Sequence, residues 1–231
     1  MTLSWPSSWV SRLSYTGFVA ALDRKDPATR DHVVRVGELA IRVGIRHKLS
    51  AGRLRALGLG ALLHDVGKLL VDDEILLKPG VLTEGEFEAM KEHTETGAEM
   101  LQASPILAPA ADFVRWHHER ADGSGYPDGL TADQIPIEAS IISVCDGWDA
   151  MTNTRHYRGA LRAGDARDIL RDGAGTQWDL VAVLALLDEL EHGDPIAAPV
   201  FERVGRGLEH DHGSVCLDAL PDRVRAGLSA V

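Results

Sequence analysis

The stretch SAGRLRALGLGALLHDVGK, from Ser50 to Lys68, decides how this chain is read. Ser50 is a suitable N-cap, and Leu54, Leu57, Leu59, Leu62 and Leu63 follow at helical spacing. The helix they predict ends near Gly67, with His64 and Asp65 side by side just before the end. Neighbours on a helix diverge by about 100° around its axis. An adjacent imidazole and carboxylate therefore meet one metal ion only where the helix stops and the backbone re-aims them. Gly67 supplies that break, and Lys68 lies one turn beyond His64.

The same reading extends outward in both directions. Leu13–Asp23 predicts a first helix, Pro27 a turn, and His32–Lys48 a second helix carrying Val33, Val36, Leu39, Ala40 and Val43 on one face. Thr83 with Glu86 makes a capping box for a helix running to about Gln102. Further helices are expected over Pro105–His118, Pro136–Asn153, Asp165–Arg171 and Asp179–Leu190, with a Gly- and Pro-bearing loop from Asp122 to Asp133. The chain is therefore all-α. Residues 1–12 read as a lead segment and 13–191 as one domain. Residues 192–231, broken by Pro195, Pro199, Gly205 and Gly213, read as an appendage of uncertain structure.

Composition narrows the function. The 231 residues carry a formal net charge of −11, which argues against DNA or RNA as a non-specific partner. No apolar run is long enough to cross a bilayer, and Met1–Leu13 has neither a basic start nor an apolar run, so a cytoplasmic location is expected. The two cysteines, Cys145 and Cys216, have no metal or redox spacing, and Cys145 reads as a small core residue. Of the ten histidines, five fall into a pattern with Asp65 and Asp146. His117-His118 repeats the His64-Asp65 arrangement at the end of a second helix, while His32 opens one helix and His93 lies inside another. Asp146 lies in an apolar helix, where an unpaired carboxylate would be costly. His47, His156, His192, His210 and His212 show no such placement.

These residues resemble a known family. His64-Asp65 with Gly67-Lys68 is similar to the signature of the HD superfamily. The run His117-His118-Glu119-Arg120-Ala121-Asp122-Gly123-Ser124-Gly125-Tyr126-Pro127 resembles the motif that defines HD-GYP phosphodiesterases. The similarity extends through Asp146-Gly147-Trp148-Asp149 and Arg155-His156-Tyr157-Arg158, and covers about Leu13 to Leu190.

The resemblance implies an HD-domain helical bundle with two divalent metal ions in its core. One ion would take His32, His64, Asp65 and Asp146. The other would take His93, His117 and His118, with Asp65 bridging. Imidazole and carboxylate ligands suit several metals, and the family points to iron or manganese. Some relatives add a third ion through a glutamate at the position of Ala28; Asp26 and Asp31 stand at the wrong offsets, so a dinuclear centre is expected. Two divalent ions outweigh Asp65 and Asp146, so the centre is positive despite the acidic chain.

The implied activity is hydrolysis of cyclic di-GMP, a bacterial signalling molecule, to linear pGpG, with a further step to GMP left open. Asp65 and Lys68 would be catalytic. Gly125, Tyr126, Pro127, Arg155 and Arg158 would contact substrate. Asp149 is grouped with them, although it could instead orient a ligand. Glu119 and Asp122 read as stabilising the loop. The Gly-Tyr-Pro loop is also a candidate docking surface for a protein partner, and the oligomeric state is open. Two other readings remain: an HD hydrolase acting on cyclic GMP-AMP or another nucleotide, and a catalytically weak module that senses a cyclic dinucleotide or docks a partner.

Overall fold

The computed structural model describes residues 13–154, 159–193, 214–215, 222 and 224. Nine α-helices lie among them: α1 (Tyr15–Lys25), α2 (Pro27–Arg46), α3 (Ala51–Leu63), α4 (Asp73–Leu76), α5 (Glu84–Gln102), α6 (Ala111–Trp116), α7 (Ile137–Thr152), α8 (Ala163–Gly173) and α9 (Leu180–His192). The described residues are all-α apart from a two-residue antiparallel pairing of Leu13–Ser14 with Ser214–Val215 and two isolated bridges, Asp122 with Thr131 and Ala174 with Trp178. None of the helices is long and apolar enough to cross a membrane.

Helix α3 is the axis of the bundle. Every residue from Ala56 to Leu63 is buried, as expected of a helix that is apolar on all sides. Leu59, Leu62 and Leu63 face one core with Phe18, Leu101, Leu107 and Val114. Leu57 and Ala61 face a second core with Val36, Val43, Ile141, Ile142 and Leu186. Cys145 lies fully buried in that second core. The metal-ligand candidates gather at the His64 end of α3, between α2, α5, α6 and α7.

Side-chain caps mark several helix starts. Ser50, Thr83 and Asp179 each accept a hydrogen bond from a backbone N–H in the first turn, and Thr83 and Glu86 complete the capping box. Two boundaries differ from the sequence reading. Helix α2 begins at Pro27, so His32 stands in its second turn and does not open it. Proline is at home at the first helical position, because its fixed φ suits the helix and its missing N–H would have no partner there anyway. The Pro105–His118 region holds only a 3-10 turn at Ala108–Ala110 and the short α6, with Pro109 in the first turn of the 3-10 segment.

Some described residues of the C-terminal stretch meet the domain. Ser214–Val215 pairs with the start of the fold, and Val224 is fully buried in the first core. On the opposite side, Arg42 and Arg46 of α2 clamp the buried Glu189 of α9.

Candidate metal centre

Both dipeptides sit where helices stop. Helix α3 ends at Leu63, with His64 as its C-cap and Asp65 leading into a 3-10 segment, Val66–Leu70. Helix α6 ends at Trp116, with His117 as its C-cap. The change of backbone path turns both neighbours of each pair into one space. Gly67 makes this close approach achievable. A Cβ there would collide with the His93 carbonyl oxygen and come within 2.6 Å of Thr96 Oγ1, so only glycine lets the 3-10 segment lie against α5 at His93.

The seven predicted ligands converge into three overlapping groups: His93, His117 and His118; His32, His64 and Asp146; and His64, Asp65 and His117. Within each group the ligand atoms lie within 4.8 Å of one another. Asp65 is central. Its Oδ2 is 3.5 Å from His64 Nε2, and its Oδ1 is 3.7 Å from His93 Nε2. His93 Nε2 is 3.4 Å from His117 Nε2, and His32 Nε2 is 3.3 Å from Asp146 Oδ1.

Backbone carbonyls orient three of the rings. Nδ1 of His64, His93 and His117 lies 2.8, 2.7 and 2.7 Å from the carbonyl oxygens of Ala61, Met90 and Val114. With Nδ1–H donating, each Nε2 lone pair points into the cluster. His32 uses a carboxylate for the same purpose, its Nδ1 lying 2.7 Å from Asp149 Oδ2.

Burial sets the charge states. It drives His93 down to about 3 and His118 to about 4, and holds His117 well below the ordinary histidine range. Burial also opposes charge on His32, yet hydrogen bonds to Asp146 and Asp149 raise it to about 9. Asp65 and Asp146 stay ionised against their burial. Lys68 and the neighbouring His64 hold Asp65 well below the usual carboxylate range, while His32 does so for Asp146. Lys68 Nζ sits 2.7 Å from Asp65 Oδ2 with its side chain 24% exposed, so the ammonium lies at the edge of the cluster.

These residues fit a metal. His64 Nε2 is buried and has no hydrogen-bond partner, an expensive arrangement for a ring nitrogen unless an ion completes it. Imidazole nitrogens with ionised carboxylates form the donor set that divalent transition metals take.

The loop after α6 covers one side of the cluster. The buried Glu119 accepts hydrogen bonds from the backbone N–H groups of Asp128, Gly129 and Leu130, at 2.7 to 3.0 Å. Arg115 grips Asp128 through two bonds, at 2.7 and 2.8 Å. Gly125 packs against the Glu119–Arg120 backbone so closely that a Cβ would collide with the Arg120 nitrogen. These contacts hold the Tyr126 ring stacked on His118, with centroids 4.9 Å apart and planes at 28°. Asp122 bonds Ser124 within the loop.

Asp149, grouped with the substrate contacts, is buried, and both its oxygens are taken. Oδ2 meets His32 Nδ1 and Arg35 Nη2, while Oδ1 accepts from Arg35 Nε and Asn153 Nδ2. Of the two roles left open for Asp149, these contacts favour orienting His32. Arg155 and Arg158 lie outside the described residues. Ala28 falls within α2, but its side chain is outside them too. Asp26 accepts a hydrogen bond from Thr29 Oγ1 at the start of α2, and Asp31 is exposed. Sequence reasoning passed over Arg35, whose one signal was its place a turn beyond His32.

The fold and this cluster define a helical metal-site domain, and comparison supplies the family. The chain belongs to the HD-domain family, whose profile matches residues 18–180, and its loop motif is of the HD-GYP type. It is 45% identical over 136 residues to a cyclic di-GMP phosphodiesterase of Thermotoga maritima, covering 58% of this chain and 37% of that protein. It is 39% identical over 169 residues to the cyclic di-GMP phosphodiesterase response regulator RpfG of Xanthomonas campestris, covering 72% and 45%. The chain thus spans less than half the length of these relatives. In fold it is similar to a cyclic GMP-AMP specific phosphodiesterase from V. cholerae, with a TM-score of 0.65 and 16% identity over 95% of this chain and 60% of that one.

Proposed function

We propose that this domain is a metal-dependent phosphodiesterase that opens a cyclic dinucleotide, with cyclic di-GMP as the first candidate and linear pGpG as the product. One observation carries the reading: five histidines and two aspartates converge on a single buried site with His64 Nε2 unpartnered. His32, His64, Asp65 and Asp146 would hold one ion and His93, His117 and His118 the other, iron or manganese in each. When bound, such a pair activates water and polarises the phosphoryl oxygens.

The chain's own residues have distinct tasks in this reading. Asp65, with one oxygen toward His64 and the other toward His93, would serve both ion positions. Lys68 is fixed by its bond to Asp65 and has N–H groups left for a non-bridging phosphate oxygen. Tyr126, with Gly125 and Pro127, walls the cleft beside His118, and its burial raises the phenol above its ordinary range, so it stays protonated as a donor. Arg155 and Arg158 would add the cationic contacts to phosphate or guanine. A cytoplasmic location, where cyclic dinucleotide signals act, and a protein partner at the Gly-Tyr-Pro loop complete the proposal.

Metal-loaded, reduced protein incubated separately with cyclic di-GMP and cyclic GMP-AMP tests it. Appearance of pGpG from the first supports the reading. Faster opening of cyclic GMP-AMP would reassign the substrate, and metal-loaded protein inert toward both would sink the reading.

A further inference from the structure

Phe87 is 45% exposed, yet it stands on a stiff part of the molecule. The capping box of Thr83 and Glu86 closes the first turn of α5, the Phe87 N–H bonds the Thr83 carbonyl at 2.8 Å, and Lys78 pairs with Glu86 at 2.6 Å. Single exposed apolar residues are ordinary on protein surfaces. This one continues a series of rings that starts at the metal cluster. His118 stacks on Tyr126, and the Phe87 ring stands edge-on to Tyr126 at 6.2 Å and 81°. Lys91, one helical turn beyond Phe87, places its ammonium 4.9 Å from the Phe87 centroid and 5.4 Å from that of Tyr126. Its salt bridge to the exposed Glu88, at 2.6 Å, leaves further N–H groups to donate.

We propose that Phe87 and Lys91 form a subsite for one purine base of the cyclic dinucleotide, a subsite that rests on the phosphodiesterase reading above. An aromatic face is of no use to a phosphate, whereas every base has a π-face that stacks on one. The Lys91 ammonium, over the Phe87 ring, is a donor that matches the O6 and N7 acceptors of guanine. Because Tyr126 already touches His118, a base lying on Phe87 would be tied to the reacting end of the molecule through a rigid wall. That would let base binding contribute to placing the phosphate.

Isothermal titration of metal-loaded protein with a non-hydrolysable phosphorothioate analogue of cyclic di-GMP, and separately with inorganic phosphate, distinguishes base from phosphate recognition. Phe87→Ala is expected to raise the Kd of the analogue roughly 10-fold, the loss of about one stacked base. The phosphate Kd and the metal content should not move, Phe87→Trp should restore affinity, and Lys91→Ala should weaken GMP competition more than phosphate competition. Equal weakening of both ligands in Phe87→Ala, or no change for the analogue, would overturn the subsite. Turnover by the wild type reports on the phosphodiesterase reading separately. Protein that binds the analogue without cleaving cyclic di-GMP loses that reading, while the Kd comparison still decides the subsite. Wild-type protein that binds no cyclic dinucleotide overturns both.

Discussion

Asp149 stands behind His32, its Oδ2 2.7 Å from the ring Nδ1, while Arg35 holds the same carboxylate from the other side at 2.6 and 3.0 Å. A carboxylate in that place fixes the tautomer of the imidazole and makes it a better metal ligand. Asp149→Asn keeps the shape and removes the charge, so metal affinity should fall by roughly 10- to 100-fold. Competition against a chelator of known affinity measures this. Unchanged affinity, combined with a raised KM for the dinucleotide at saturating metal, would return Asp149 to the substrate contacts.

Gly67 is the second point where small changes should have large effects. Gly67→Ala places a methyl against the His93 carbonyl, which is backbone and cannot swing aside. Overpacking of this kind costs about 1–3 kcal/mol. The 3-10 segment should move off α5, separating Asp65 from His93. A lowered Tm together with reduced metal content is expected. An alanine variant with native Tm and full metal content would show that the two elements have room to spare.

Helix caps and dipeptides were the legible parts of this molecule. Ser50 and Thr83 each announce a helix through their own side-chain chemistry, and His64-Asp65 and His117-His118 announce a candidate site because adjacent ligands need a helix end. Pro27 was misread because proline marks a turn and a helix start with the same residue. The surroundings of Asp149 were hidden for a different reason. Its partners Arg35 and His32 lie 114 and 117 positions away in sequence, and only the packing of α2 on α7 brings them together. The Phe87–Tyr126 contact likewise depends on how the loop after α6 lies against α5.

The histidines make a prediction about the chelated protein. Burial keeps His93, His117 and His118 neutral, with His93 at about 3 and His118 at about 4. Folded values below the unfolded value of about 6.5 mean that their contribution is present above that pH and lost as pH falls through the folded values. His32 behaves in the opposite sense. Held at about 9, it stabilises the fold fully below about 6.5, and that stabilisation is lost as pH rises through about 9. The contribution of the cluster to apoprotein stability should therefore peak near pH 6.5. Tm scans of chelated protein from pH 5 to about 9.5 should fall on both sides, with the alkaline decline absent in His32→Gln. An alkaline decline of the same size in that variant would rule out His32 as its source.

Lys68 and Asp65 are joined at 2.7 Å, yet their removal should have different consequences. Asp65 is buried against His64, His93 and His117 and faces both proposed ion positions, so Asp65→Ala should release metal and abolish turnover together. Lys68 touches only one oxygen of that carboxylate, and its side chain is 24% exposed at the edge of the cluster. Lys68→Ala should keep its metals and lose kcat on the order of 10²-fold, with KM moving much less, if the ammonium serves charge that develops on the phosphoryl oxygens. Elemental analysis alongside steady-state kinetics separates the cases. A Lys68→Ala protein that loses its metals would show that the lysine acts by holding Asp65 in place. One that keeps both metals and normal kcat would remove Lys68 from the chemistry altogether.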